Sequence, residues 1–321
     1  MKSFGKWAFA MAMAGITAAC TPSDTGGRET ANTDPRACKE NALAVQILGS
    51  GGPIADDHRA GASNIVWVDG KARVMIDAGA GSFVRFGQAG VDFNDLYLIA
   101  LTHFHGDHVG GLPAVMNSGS FSKRKEPLFV TGPKGDDLFP STSGLLQSYF
   151  GKDGALGYLS PYLDDESDAL PNLIIRDIVT EDRPYLQSVL RKDGVDIDTV
   201  RVHHLDMPAL SYVVRTKGKR ILFAGDQSDL SEDFVTAVTN GQPDLMFMHN
   251  AISMADGQPR GLHRDGLSIG RAAAKAGAKK LILTHHMKRA LDDKDALLAA
   301  IREHYSGPIE IADDLSCYPL D

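Results

Sequence analysis

The stretch LTHFHGDHVGG, residues 101–111, sets His103, His105, Asp107 and His108 within six positions and follows them with Gly110 and Gly111. Three of the chain's 11 histidines stand there. A solvated loop has no need of them, and a core tolerates imidazoles only when they are partnered. Three clusters of the same chemistry follow: Val202-His203-His204, Ala224-Gly225-Asp226 and Thr284-His285-His286. Imidazole and carboxylate together are the ligands of zinc, iron or manganese at neutral pH. Each cluster comes just after an apolar run, so rigid strands could bring all four to one point.

The elements that must do this positioning are strands alternating with turns and helices. Residues 43–48 (LAVQIL) read as a strand entering a sharp loop at GSGGP. SNIVWVDGKARVMIDAG reads as a hairpin turning at Asp69-Gly70, because Asp-Gly accepts the positive backbone angles of a tight turn. LYLIALT, residues 96–102, is continuously apolar, as expected of a strand buried on both faces. Further strands are expected at PLFVTGP, VDIDTVRVHH, PDLMFMH and KKLILTHH, with a hairpin at Lys217-Gly218. A helix over 268–276 should stop at Gly277. Residues 113–195 look irregular. Their aromatics Tyr149, Phe150, Tyr158 and Tyr162 read either as core or as a lid over a small-molecule pocket.

The motif His103-x-His105-x-Asp107-His108, with His204, Asp226 and His285 in order behind it, resembles the metallo-β-lactamase superfamily over nearly all of residues 43–290. The resemblance implies an α/β fold, a four-layer αββα sandwich of two mixed β-sheets with outer helices. It also implies a dinuclear metal site, with two divalent ions, zinc first and iron or manganese as alternatives. His103, His105 and His204 would hold one ion, Asp107, His108 and His285 the other, and Asp226 would bridge. A hydroxide shared by the two metals would be the nucleophile. The neighbours His203 and His286 compete for their positions, and the resemblance favours His204 and His285.

Asp226 in ILFAGDQSD separates this chain from true β-lactamases, which lack a bridging aspartate there. GSGGP, DAGAG and KAGAKKLILTHH resemble the ribonuclease Z, arylsulfatase-like and phosphodiesterase-like branch. In that branch a histidine at the position of His263 can protonate the leaving group, which places His263 beside Asp107 as a candidate catalytic residue. The chain departs from the ribonuclease Z pattern His-Glu-Ala-Thr: it has His249-Asn250-Ala251-Ile252. The carboxylate expected to orient the acid histidine is thus an amide, and an amide cannot raise an imidazole's pKa through charge. Good leaving groups would suit such a site.

The chain's 321 residues carry a formal net charge of −8. Its lysines and arginines are scattered, which disfavours a large polyanionic partner, so no nucleic acid is expected. Lys2 and Lys6, the apolar run 7–19 and the small residues before Cys20 form a signal peptide, residues 1–19. Its end resembles a lipobox, although Thr17 stands where leucine is usual, and Cys20 would carry a lipid anchor. Residues 20–40 read as a flexible tether and 41–321 as one catalytic domain with an irregular insertion at about 113–195. With Cys20 assigned, Cys38 and Cys317 remain at the two ends of the folded body, where a disulfide is expected in an oxidising compartment. The sequence therefore points to an exported, periplasmic metal-dependent hydrolase acting on an ester-type bond of a small substrate, phosphodiester first and sulfate ester second. The rivals are a lactamase or lactonase, a di-iron redox protein and a non-catalytic metal-binding protein.

Overall fold

A computed structural model describes residues 34–180, 185–239 and 241–320. The signal-peptide and lipid-anchor assignments, and the tether up to residue 33, lie outside the described residues. The strands in chain order are β1 (Leu43–Gly49), β2 (Ser63–Val68), β3 (Lys71–Ile76), β4 (Leu98–Ala100), β5 (Leu128–Pro133) and β6 (Leu173–Ile178). They continue as β7 (Gln187–Lys192), β8 (Val195–Val202), β9 (Ala209–Thr216), β10 (Lys219–Phe223) and β11 (Leu245–His249). The last three are β12 (Leu281–Thr284), β13 (Ile309–Ile311) and β14 (Cys317–Pro319).

They form two mixed sheets, ordered β14-β1-β2-β3-β4-β5-β6 and β13-β12-β11-β10-β9-β8-β7. In each sheet one part is antiparallel and the rest parallel: β3 to β6 in the first, β10 to β13 in the second. The side chains explain the layering. Val66, Val74, Ile76 and Leu98 of the first sheet pack against Ile197, Tyr212, Ile221 and Phe247 of the second. The alternate residues Ile65, Trp67, Met75 and Ile99 face the other way, against the helices α1 (Ser82–Gln88), α3 (Leu112–Gly119) and α4 (Thr142–Phe150). The one-turn α2 (Gly106–Val109) lies between α1 and α3 in the chain. Leu222, Met246 and Leu283 likewise meet α5 (Glu232–Thr239), α6 (Gly266–Ala276) and α8 (Lys294–Arg302); α7 (Lys288–Asp292) precedes α8. The expected αββα sandwich is therefore the observed one. Strands buried on both faces read as unbroken apolar runs for this reason.

The two expected hairpin turns form, with Asp69 and Gly70 at φ 50° and 74° and Lys217 and Gly218 at 49° and 73°. The expected strand at PLFVTGP is β5, but residues 113–195 otherwise depart from the expected irregular insertion: β6 completes the first sheet and β7 edges the second. Charges at Arg176, Asp177 and Arg191 interrupt these strands and hide them from a hydropathy reading. Phe150 and Tyr162 are core, and Tyr162 donates to Met116 O at 3.0 Å. Only Tyr158, 65% exposed, stands clear.

The tether is also shorter than expected at its described end. Residues 37–40 form a 3-10 turn with Cys38 buried, and Pro35 O accepts from Gln46 Nε2 at 2.6 Å. Gln46 in turn accepts from Trp67 Nε1 at 3.0 Å, which docks this turn on the first sheet. Cys38 and Cys317 form a disulfide spanning 279 positions. Closing so long a loop restricts the unfolded chain, a contribution of about 2–4 kcal/mol. Replacing both cysteines by serine should lower the unfolding free energy by about that amount, read as a lower guanidinium midpoint with a steeper slope, because the uncrosslinked unfolded chain exposes more surface.

Candidate metal centre

The sheets' loop ends converge. His103 and His105 follow β4, with Asp107 and His108 on α2, while His204 follows β8, Asp226 follows β10 and His285 follows β12. The turn DAGAG after β3 cradles α2 through backbone bonds from Ala78 N to His108 O and from Gly111 N to Ala78 O. Glycine is required there: a Cβ on Gly79 would lie 2.0 Å from Asp107 O, and one on Gly61 2.6 Å from it.

The geometry forms two donor groups around one carboxylate. His103, His105, His204 and Asp226 make the first, and His108, His249, His285 and Asp226 the second. In the first, His103 Nε2 stands 3.0 Å from His105 Nδ1, and His204 Nε2 stands 3.3 Å from the same atom. Asp226 Oδ2 lies 3.8 Å from His103 Nε2 and 3.5 Å from His204 Nε2. In the second, His285 Nε2 is 3.0 Å from Asp107 Oδ2, and His108 Nε2 is 3.6 Å from it. Ligands about 2.0–2.1 Å from a tetrahedral zinc stand about 3.3–3.4 Å from one another, so these spacings suit such an ion.

The hydrogen bonds around the ring decide what those nitrogens carry. Asp77 Oδ1 accepts from Thr102 N at 2.7 Å, and its Oδ2 accepts from Thr102 Oγ1 and His108 Nδ1, both at 2.8 Å. His103 Nδ1 donates to Thr102 Oγ1 at 3.1 Å, and His204 Nδ1 donates to Leu262 O at 2.9 Å. With the Nδ1 protons so engaged, the Nε2 lone pairs of His103, His108 and His204 face inward. His108 Nε2 has no hydrogen-bond partner although the residue is fully buried. Inward lone pairs beside two carboxylates repel unless a cation lies among them, so the donor set fits divalent metal.

Burial pushes the Asp226 carboxyl up, but the nearby His285 and His263 and the hydrogen bond from His249 outweigh it and hold it well below the usual range. Asp107, bonded to His285 and flanked by His108, is held at about 2 against the same burial. Both carboxylates are ionised at neutral pH.

Of each competing histidine pair, one member enters the centre. His203 turns outward to Ser228 Oγ at 2.7 Å. His286 donates through Nε2 to Ala312 O at 3.0 Å and accepts from Asn250 Nδ2 at 3.1 Å. Asn250 thus partners His286 and not His263, which corrects the expectation that residue 250 faces the acid histidine. His263 reaches the centre from the loop before α6, its Nδ1 3.6 Å from Asp226 Oδ1. His249 was missed by the sequence reading. Its Nδ1 donates to Asp226 Oδ1 at 2.6 Å, and its ring stacks on His285 at 4.4 Å. Its place at the end of PDLMFMH, like the other clusters past strands, was the available signal.

A family model described as Anti-Pycsar protein Apyc1 matches residues 43–296. The chain belongs to that family. It is 27% identical over 290 residues to a ribonuclease Z of Mycolicibacterium paratuberculosis, covering 87% of this chain and 99% of that protein. The metallo-beta-lactamase fold protein YhfI from Bacillus subtilis superposes with a TM-score of 0.65 at 17% identity, covering 86% of this chain and 99% of YhfI. A diphosphatase of the PhnP family gives 0.58 at 17% identity, over 87% of this chain and 98% of that one. The protein is a metal-dependent hydrolase of the metallo-β-lactamase superfamily.

Asp77 fixes both the His108 tautomer and the Thr102 hydroxyl. Replacing it by alanine should weaken Zn2+ binding in the His108 group by about 10–100-fold. Competition with a chromophoric chelator would read this, and the expected pattern is one strongly weakened equivalent beside a second weakened less, because His103 rests on Asp77 only through the Thr102 hydroxyl.

Proposed function

We propose that this family member is an exported dinuclear metallohydrolase that cleaves a phosphodiester in a small anionic substrate, with sulfate esters as the second choice. The observation that carries it is the pair of donor groups sharing Asp226. His103, His105 and His204 would hold one ion, and Asp107, His108 and His285 the other, with Asp226 between them. Such a pair, when bound, lowers the pKa of water towards 7 and neutralises the oxygens of a phosphoryl group. His249 secures Asp226 Oδ1 and leaves Oδ2 to the three histidines near it.

His263 stands over the same carboxylate, where a leaving group would depart. Burial, only partly offset by Asp226, pushes its pKa down to about 4, so it is neutral at pH 7. A neutral imidazole donates hydrogen bonds but is a poor acid, which favours a bond with a stable leaving group. Arg289 on α7 supports an anionic substrate: it is exposed, its Nε donates to Ala251 O at 2.9 Å, and it makes no ion pair among the described residues. The Cys38–Cys317 disulfide supports export, since such bonds persist in oxidising compartments.

Metal content of protein purified without chelator should be about two equivalents of Zn2+ per chain, falling towards one in His108→Ala. The wild type should hydrolyse bis-nitrophenyl phosphate and lose that activity on chelation. Hydrolysis of nitrocefin instead would make it a lactamase, cleavage of a precursor tRNA a ribonuclease, and two equivalents of iron would favour redox chemistry. Folded wild type without metal would overturn the reading. His263→Ala should slow esters of poor and of good leaving groups by a similar factor of less than about 10, because a neutral imidazole contributes little as an acid.

A further inference from the structure

Arg264 is only 5% exposed, and no carboxylate lies within ion-pair distance of it among the described residues. A buried guanidinium is expensive unless its donors are all used. Here it meets neutral acceptors: Nε donates to Gln227 Oε1 at 2.9 Å, one terminal nitrogen to Ser268 Oγ at 2.8 Å and the other to Ser231 O at 3.4 Å. Gln227 is anchored in turn, its Nε2 donating to Ala224 O at 2.8 Å.

The residues joined are adjacent to the metal centre on both sides. Gln227 follows Asp226, and Arg264 follows His263. Two residues before Arg264, Leu262 O accepts the Nδ1 proton of His204. The segment 226–231 also grips the strand that carries His204. Ser228 N donates to His203 O at 2.8 Å, His203 N donates to Ser231 Oγ at 2.9 Å, and the His203 ring meets Ser228 Oγ. Asp226, His204 and the His263 loop therefore hang on one short segment, and among the described residues Arg264 is the side chain that ties the His263 loop to it through charge-assisted bonds.

We propose that Arg264 is a positioning residue: through Gln227 and Ser231 it clamps the loop of Leu262 and His263 to the loop of Asp226, and so fixes the orientation of His204 and the shared carboxylate for metal. This rests on the metal-centre reading above. A planar, permanently charged fork with several fixed donors suits the task better than a flexible ammonium. Its contact with Ser268, on α6, serves the helix rather than the clamp.

Zn2+ affinity measured by chelator competition tests this, with thermal unfolding of the metal-free protein recorded alongside. Arg264→Met and Gln227→Met should each weaken Zn2+ binding by about 10–100-fold, the range for lost outer-shell partners. Arg264→Lys should restore part of the loss. The double variant should be no worse than the worse single one, because both remove the same contact. Ser268→Ala should lower thermal stability slightly and leave Zn2+ affinity as in the wild type. If Arg264→Met does not fold, Gln227→Met decides. Metal-loaded wild type with unchanged affinity in Gln227→Met overturns the clamp alone, as does an additive double variant. A Ser268→Ala variant that loses affinity as strongly assigns Arg264 to fold support and also overturns it. A wild type that takes up no metal overturns the metal centre and this proposal with it.

Discussion

The structure depends on a crowd of lone pairs held out of water around Asp226. His103 Nε2, His105 Nδ1 and His204 Nε2 approach one another to 3.0–3.3 Å, closer than unprotonated nitrogens would choose. They stay there because each ring's other nitrogen, or the backbone that carries the ring, is tied from behind. Asp77 and Thr102 hold His103 and His108, and Leu262 O holds His204. An outer layer that fixes tautomers makes ligands out of what would otherwise be hydrogen-bonding pairs.

The sandwich supplies the rigidity for this. Both sheets send parallel strands to the same end of the molecule, and the turns after β3, β4, β8, β10 and β12 each bring a group to within bonding range of another. Two of the positions involved are strained, Asp77 at φ 59° and His285 at φ 52°. Left-handed backbone at non-glycine residues persists where the surroundings over-determine it, and here those surroundings are two packed sheets. The close approach of Gly61 and Gly79 to the Asp107 carbonyl shows the same economy, with backbone set directly against backbone so that α2 can sit low in the cleft.

Much of this was legible in the sequence because ligand types are rare and stand just past apolar runs. The periodicity of β2, β3, β9 and β10 and their turn residues located the sheets, and the order of motifs located the centre. What escaped did so for physical reasons. β6 and β7 carry adjacent charged pairs, Arg176-Asp177 and Arg191-Lys192, as edge strands can, so they lack the signature of buried strands. His249 ends an apolar strand and is one histidine beside a better-known pattern, while Asn250 points to His286 through a rotamer no sequence reports. Arg264 looks like a surface charge until the fold buries it.

The chemistry of the centre does not by itself choose the bond that is cut, since one pair of ions can serve many esters. The choice falls to the groups around it. His263 has no carboxylate of its own to hold a proton; the carboxylate nearest to it, Asp226, is shared with five other histidines. A negative charge so divided cannot also sustain a strong acid, and any bound cation would draw it further away. The site is thus better at stabilising charge that develops on a phosphoryl or sulfuryl group than at rescuing a poor leaving group. Under the proposed reading, that imbalance would favour anionic diesters with stable leaving groups over amides, whose nitrogen must be protonated to depart.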